Sequence, residues 1–407
     1  MSDIIALRRH LHTLPELAFK EWNTLAYIVA TLKQCTHLSF EYLPSGTYDK
    51  YKDLINTDKK EVEIEPGVFI DVPALKVSFD FAQDGENLAF RCDMDALPVE
   101  EAHCTGHKPY DLNFVSDNGN MHACAHDGHM AIALMSILHI DKNFEKLKSH
   151  TKLGSVSFIF QCAEEGCRGG IIISQSDFLK NVDTLYCYHL GMRLPSLSIA
   201  TNPKKFLATQ KFMLKMHGVK AHAGRPHQGV NALLPLCSII LDFMDYADTQ
   251  NGIYINFGNM LSPGASNIVP DFASVFGEIR SNDAANIDIY YKKLVELIDK
   301  YTQDSKAVCE LLPLGRAVGI ENSSCLVQSL NSICSDLGFS VAEHFDFNAS
   351  EDASLLIESV QKRGGQAMHF VIGANLSAEH HNALFDFDES VLDKACALIL
   401  KIIESRS

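Results

Sequence analysis

No apolar run in this chain approaches the ~20 residues that a membrane-spanning helix needs, and the longest candidates are broken by polar side chains. The first ten residues, Met1 to His10, lack the basic stretch, apolar core and small-residue cleavage site of a secretory signal, so a cytoplasmic protein is expected. Basic residues are in deficit. Against 51 acidic residues there are 35 basic ones, a formal charge of −16, which disfavours nucleic acid and anionic membrane surfaces as partners. An anionic substrate would have to be met by locally placed arginines and metal ions, against this overall field. The 12 cysteines form no short, regular framework. Cys162, Cys187 and Cys237 lie inside apolar runs, where a reduced thiol packs as a small hydrophobe, and disulfides are not expected. There is no internal repeat, no low-complexity segment and no long Pro/Gly/Ser-rich linker.

At 407 residues the chain exceeds the size at which one core keeps growing, so two domains, or one with a large insertion, are expected. Apolar spacing predicts two helices over residues 2–34, the first starting at Ser2 and stopping before Pro15, the second spanning 24–34. Strand-like runs follow at 72–81, 88–92, 156–161 and 184–189, with helices at 127–139 and 171–179, an alternation that argues an α/β layered domain. Between about 206 and 314 the pattern changes to strand (206–217), helix (231–246), strand (253–259), strand (272–280), helix (287–302), strand (308–312). That βαββαβ order is the order of a ferredoxin-like module. The fold read from the sequence is an α/β catalytic domain, 1–204 and 316–407, interrupted by an inserted domain at 205–315.

Four stretches carry chemistry. The run from Met121 to His129 packs Cys124, His122, His126 and His129 into nine positions ahead of a helix, and Cys and His are the ligands that borderline-soft divalent ions prefer. Glu164 and Glu165 stand where a buried apolar strand runs out, which in an α/β sheet is where ligands bind. Adjacent residues there point in opposed directions, so one carboxylate can hold a metal while the other faces substrate. His189 ends a further strand, and His380 and His381 lie in a polar turn ahead of Phe385.

These motifs resemble the metallo-aminoacylase and carboxypeptidase superfamily, in particular its branch of hippurate, indoleacetyl-amino-acid and aminobenzoyl-glutamate hydrolases. The likeness covers nearly the whole chain: runs 91–98, 121–129, 160–166, 221–224, 267–270, 277–280, 350–352 and 385–389, with His189 and His381, occur in the family's order. The C-terminal run 380–389 is most like the aminobenzoyl-glutamate hydrolases. The resemblance implies a di-metal site held by Cys124, His126, Glu165, His189 and His381, with Glu164 as catalytic base and Asp93 orienting the site. His381 is chosen over His380 because the family's ligand lies four residues before the phenylalanine. The resemblance further implies that the inserted domain is a lid and dimerisation domain whose His222, Asn267 and Arg280 bind the carbonyl oxygen and free carboxylate of an N-acyl amino acid. The ligand types suit zinc, manganese, cobalt and nickel. The partners implied are a small-molecule substrate and another protein chain, in a homodimer or in a heterodimer with a related chain. A hippurate-type or general aminoacylase, and a partner chain inactive on its own, are the competing readings. Two positions depart from the family's pattern. Ala125 replaces the usual glycine, adding a methyl that could narrow metal or substrate choice, and Cys162 replaces the usual proline.

Overall fold

The computed structural model describes residues 3–81 and 84–406; Ser2, the expected first helix start, lies outside them. Four buried apolar runs become the parallel centre of an eight-stranded sheet: Ser155–Gln161, Asn87–Asp93, Thr184–Leu190 and Gln366–Ile372, adjacent in that order. Every residue of Thr184–Leu190 is buried, as strands covered on both faces require. Leu75–Asp80 and then Leu38–Tyr42 extend one side antiparallel, and Ser198–Ala200 and Ser340–Val341 extend the other. Helix His126–Lys142 is apolar around most of its circumference because Asp3–His12 and Val391–Glu404 pack on it while it packs on the sheet. Gly169–Ser174 and Ala353–Lys362 pack on each other, and the latter also on Gln366–Ile372. The helix expected at 171–179 is split, because the Ser176 hydroxyl accepts from Phe178 N–H at 3.3 Å and starts a separate 3-10 turn, Asp177–Leu179. Among the described residues no helix is long and apolar enough to cross a membrane.

The inserted stretch forms a four-stranded antiparallel sheet in the order Ile253–Leu261, Phe272–Ser281, Ala208–His217, Val308–Ala317. This is the ferredoxin-like arrangement expected from the element order. Helices Leu233–Met244 and Ala284–Ser305 pack on each other and on the sheet, burying Phe212, Leu214, Ile239, Phe243, Val275 and Leu294 in a core separate from the main one. Period-two alternation gives each strand an inner apolar face and an open face.

Two buried cations tie the N-terminal helix to the rest. The Arg8 guanidinium is fully buried, with Asp127 at 2.8 Å, Asp386 at 2.8 Å and Glu389 at 3.3 Å. His12 places Nδ1 2.7 Å from Asp127 and Nε2 3.0 Å from Glu101. A neutral imidazole donates from one nitrogen only, so this double pairing requires the imidazolium. Burial lowers the His12 pKa, but its hydrogen bonds to the Asp127 and Glu101 carboxylates outweigh it and hold it up at about 8. Because this lies above the unfolded value of about 6.5, the stabilisation is complete below that pH and is lost as pH rises through about 8, an effect on the order of 2 kcal/mol. Thermal unfolding followed across that range should show wild type losing stability while His12→Gln stays flat; equal slopes would refute the assignment.

Candidate metal centre

The chemistry-bearing side chains project from the carboxyl ends of the parallel strands. After Gln161 the chain turns through Ala163, in the left-handed region at φ 56°, and presents Glu164 and Glu165. Both are fixed by one acceptor: Asp95 takes the Glu164 N–H at 3.0 Å on one carboxylate oxygen and the Glu165 N–H at 2.9 Å on the other. The Asp95 carbonyl also faces His126 Nδ1 at 2.8 Å, which leaves Nε2 of that ring toward Glu164. His189 Nδ1 is likewise on the Leu190 carbonyl at 2.8 Å, leaving Nε2 3.5 Å from Cys124 Sγ. His381, anchored by its N–H to the Ala123 carbonyl, brings Nε2 to 3.4 Å from Glu165 Oε1.

Two groups of three potential ligand atoms, Cys124/His126/His189 and Cys124/Glu165/His381, each fit within 4.8 Å and share the thiol. All five ligands expected from the sequence therefore come together. His126 Nε2 and Glu165 Oε1 are buried without a hydrogen-bond partner, which is how atoms reserved for a cation look. The thiolate, imidazole and carboxylate set fits a pair of divalent ions.

Glu164 is also buried, its Oε2 3.9 Å from His126 Nε2. Burial, then the charges of Glu351 and Glu165, push its carboxyl well above the usual carboxylate range, a state suited to taking and returning a proton. Asp93 accepts from His129 Nδ1 at 2.6 Å and from Arg91 at 2.7 Å, and its Oδ2 is 3.8 Å from His126 Nε2. His129 Nε2 accepts the Leu190 N–H at 2.9 Å, so neither ring nitrogen is open to a metal. That contact seats the His189 strand against helix His126–Lys142. Gly128 permits the approach, since a Cβ there would lie 2.7 Å from both Leu190 and Phe387 side chains.

The cleft over these groups measures about 470 Å³, and Arg280 lines it from the inserted domain. Arg280 Nε is 2.9 Å from Glu278. His222 and Asn267 do not line this cleft. They lie exposed on the ribbon where Ala221–His222 pairs with Ile268–Val269, and His222 Nδ1 accepts from the Gly224 N–H at 2.9 Å. Ala125 is fully buried in the main core with φ 66°, so its methyl does not face the cleft; the glycine preference at this position reflects the left-handed backbone. The sequence reading missed Asp95. Its signal was available two residues beyond Asp93, in the same motif.

A thiol, imidazoles and carboxylates gathered around the buried Glu164 are consistent with a metal-dependent amide hydrolase. The chain belongs to the peptidase family M20/M25/M40, whose sequence profile matches residues 89–405. It is 30% identical to a Haemophilus influenzae homolog of one subunit of p-aminobenzoyl-glutamate hydrolase, over 96% of this chain and 95% of that one. To an indole-3-acetyl-aspartic acid hydrolase of Enterobacter agglomerans it is 35% identical, over 77% of this chain and 72% of that one. The crystal structure of an aminobenzoyl-glutamate utilization protein from Klebsiella pneumoniae shares the fold at a TM-score of 0.76 and 22% identity, covering 99% of this chain and 95% of that one.

Replacing Asp95 by Ala removes the acceptor that holds two consecutive N–H groups and loosens the chain segment that orients His126. Divalent-metal affinity, measured by chelator competition, should fall roughly ten- to a hundredfold with the fold retained. Unchanged affinity would show that the two glutamates hold their places without it.

Proposed function

We propose that this chain hydrolyses the amide bond of N-acyl amino acids, with substrates like aminobenzoyl-glutamate first among them. The observation that carries this reading is the buried Glu164 carboxyl facing the unpartnered His126 nitrogen, in a cleft that also holds an arginine able to bind a free carboxylate. In this reading Cys124, His126, Glu165, His189 and His381 hold two ions, for which zinc, manganese, cobalt and nickel are all suitable. When bound, such ions would supply Lewis acidity and make an attacking water more acidic. Glu164 takes the proton of the attacking water and returns it to the departing amine. Arg280 and Asn267 hold the substrate's carboxylate, and His222 stabilises the developing oxyanion. The inserted domain, 205–315, acts as the lid that excludes water. The names of the Haemophilus relative, a homolog of an aminobenzoyl-glutamate hydrolase component, and of the Enterobacter relative, an indoleacetyl-aspartate hydrolase, support the substrate class. A cytoplasmic location remains part of the proposal.

Glu164→Gln should abolish turnover while metal content stays near normal, whereas Glu165→Ala should lose metal, because a base acts on the water and a ligand holds the ion. Equal metal loss in both variants would reverse the two roles or displace the site. Assaying aminobenzoyl-glutamate beside hippurate and N-acetylated amino acids, with this chain purified alone, separates the preferred substrate from a general aminoacylase and from a chain inactive without its partner.

His222 and Asn267 lie away from this chain's own cleft, which supports a site completed by a second copy or a related chain. Leu234 and Leu241, seven residues apart on Leu233–Met244, are 63% and 68% exposed and suit a paired helix face. His222→Ala and Glu164→Ala homodimers should each be nearly inactive. Mixing them with exchange of protomers should restore roughly a quarter of wild-type activity, since half the dimers are mixed and one site in each is intact. No recovery despite demonstrated exchange would show that His222 acts within its own chain or not at all.

A further inference from the structure

The open face of the inserted sheet carries a cation that the proposed hydrolysis leaves unused. Strand Ala208–His217 turns Phe212, Leu214 and Met216 into the core, so Lys211 takes the other face, with Glu278 and Arg280 of Phe272–Ser281. Register pairs Lys211 with Glu278 and Thr209 with Arg280, making Lys211 and Arg280 diagonal neighbours roughly 7–8 Å apart at their Cα atoms. Glu278 does not neutralise Lys211. Its carboxylate is taken by Arg280 Nε at 2.9 Å and by the Thr209 hydroxyl at 2.8 Å. Among the described residues Lys211 has no ion-pair partner. It lines the metal cleft and also an adjoining cavity of about 320 Å³, the two meeting at Gly166 and Lys211. The second cavity adds Arg168, whose guanidinium lies over the Phe19 ring, and its one acid is the engaged Glu278.

We propose that Lys211 binds the side-chain carboxylate of the amino acid released from the substrate, while Arg280 binds the α-carboxylate, so that the substrates are N-acyl derivatives of aspartate or glutamate. The inference rests on the amidohydrolase reading and adds its specificity determinant. A half-buried ammonium without an internal counter-charge favours a second carboxylate and is left unpaired by a neutral side chain, so discrimination comes from both the gain and the loss. Two cations on one rigid sheet face also fix the direction in which the amino acid enters.

The test uses full-length, metal-loaded protein and one acyl group joined in turn to glutamate, glutamine and leucine. Wild type should show a kcat/KM roughly ten- to a hundredfold higher for the glutamate conjugate than for the glutamine one. Lys211→Met should erase that ratio by lowering the glutamate value alone, and Lys211→Arg should keep most of it. A wild type with no preference, which requires no variant to measure, overturns the assignment of Lys211. So does a Lys211→Met that lowers all three values alike. Both outcomes leave the amidohydrolase reading standing. Cleavage of none of the three conjugates overturns that reading as well.

Discussion

The guanidinium of Arg91 is the interaction on which the rest of the site depends. It is fully buried near the end of Asn87–Asp93, where Nη1 meets Asp93 at 2.7 Å and Glu351 at 3.2 Å, Nη2 meets Asp352 at 2.9 Å, and Nε donates to Gln161 at 2.9 Å. Each partner then holds something else. Asp93 orients His129, which seats the His189 strand; Asp352 accepts the Gly170 N–H at 2.7 Å; Glu351 faces Glu164. One cation thus locks the ends of neighbouring parallel strands whose loops carry the metal-facing groups. Removing one partner of such a network typically costs about 3–5 kcal/mol, because charges are left buried and unpaired. Burial drives the Asp352 carboxyl up to about 7, while the Arg91 charge overcomes burial at Glu351 and holds that acid at about 2, so the cluster carries less negative charge than its three acids suggest.

A second buried guanidinium, Arg8, performs the corresponding task on the far side of helix His126–Lys142. The helix begins with His126, and its next residue, Asp127, is shared by Arg8 and His12. Asp386 and Glu389, on the segment that follows His381, close the same network. The first helix and the C-terminal segment, separated by nearly the whole chain, are held against the residue adjoining His126. The insertion can interrupt the α/β domain because its two ends are tied by contacts independent of the inserted sheet.

Much of this was legible in the sequence because it rests on periodicity and on chemistry that few residue types perform. Near-continuous apolar runs gave three of the four central strands, the change of element order gave the inserted module, and Cys124, His126 and the Glu164/Glu165 pair stood out by type. What escaped are contacts that no spacing encodes. Asp95 acts through backbone N–H groups of residues about seventy positions away, and Arg91 acts through acids more than two hundred and fifty positions downstream. The same reasoning explains Ala125: from sequence an added methyl beside a ligand suggests a narrowed site, whereas the backbone angle at that residue turns the methyl into the core. The Thr47–Ile55 helix and the Val62–Glu65/Val68–Ile70 hairpin left no strong pattern either, since their exposed faces mix charges without a clean period.

The two architectures meeting at the cleft divide its charge. Parallel strands end in loops that carry the carboxylates, thiol and imidazoles, so the catalytic floor is rich in groups that attract cations. The inserted antiparallel sheet meets it with an open face bearing Arg280 and Lys211. At physiological ionic strength the field of the chain's net −16 charge is screened over about 8 Å, so the potential on this side of the cleft is set locally, by side chains such as these two. A substrate whose anionic end faces the sheet places its acyl amide toward the floor, beside Glu164. Orientation then follows from which wall carries which sign, a consequence of grafting an antiparallel sheet above the ends of a parallel one.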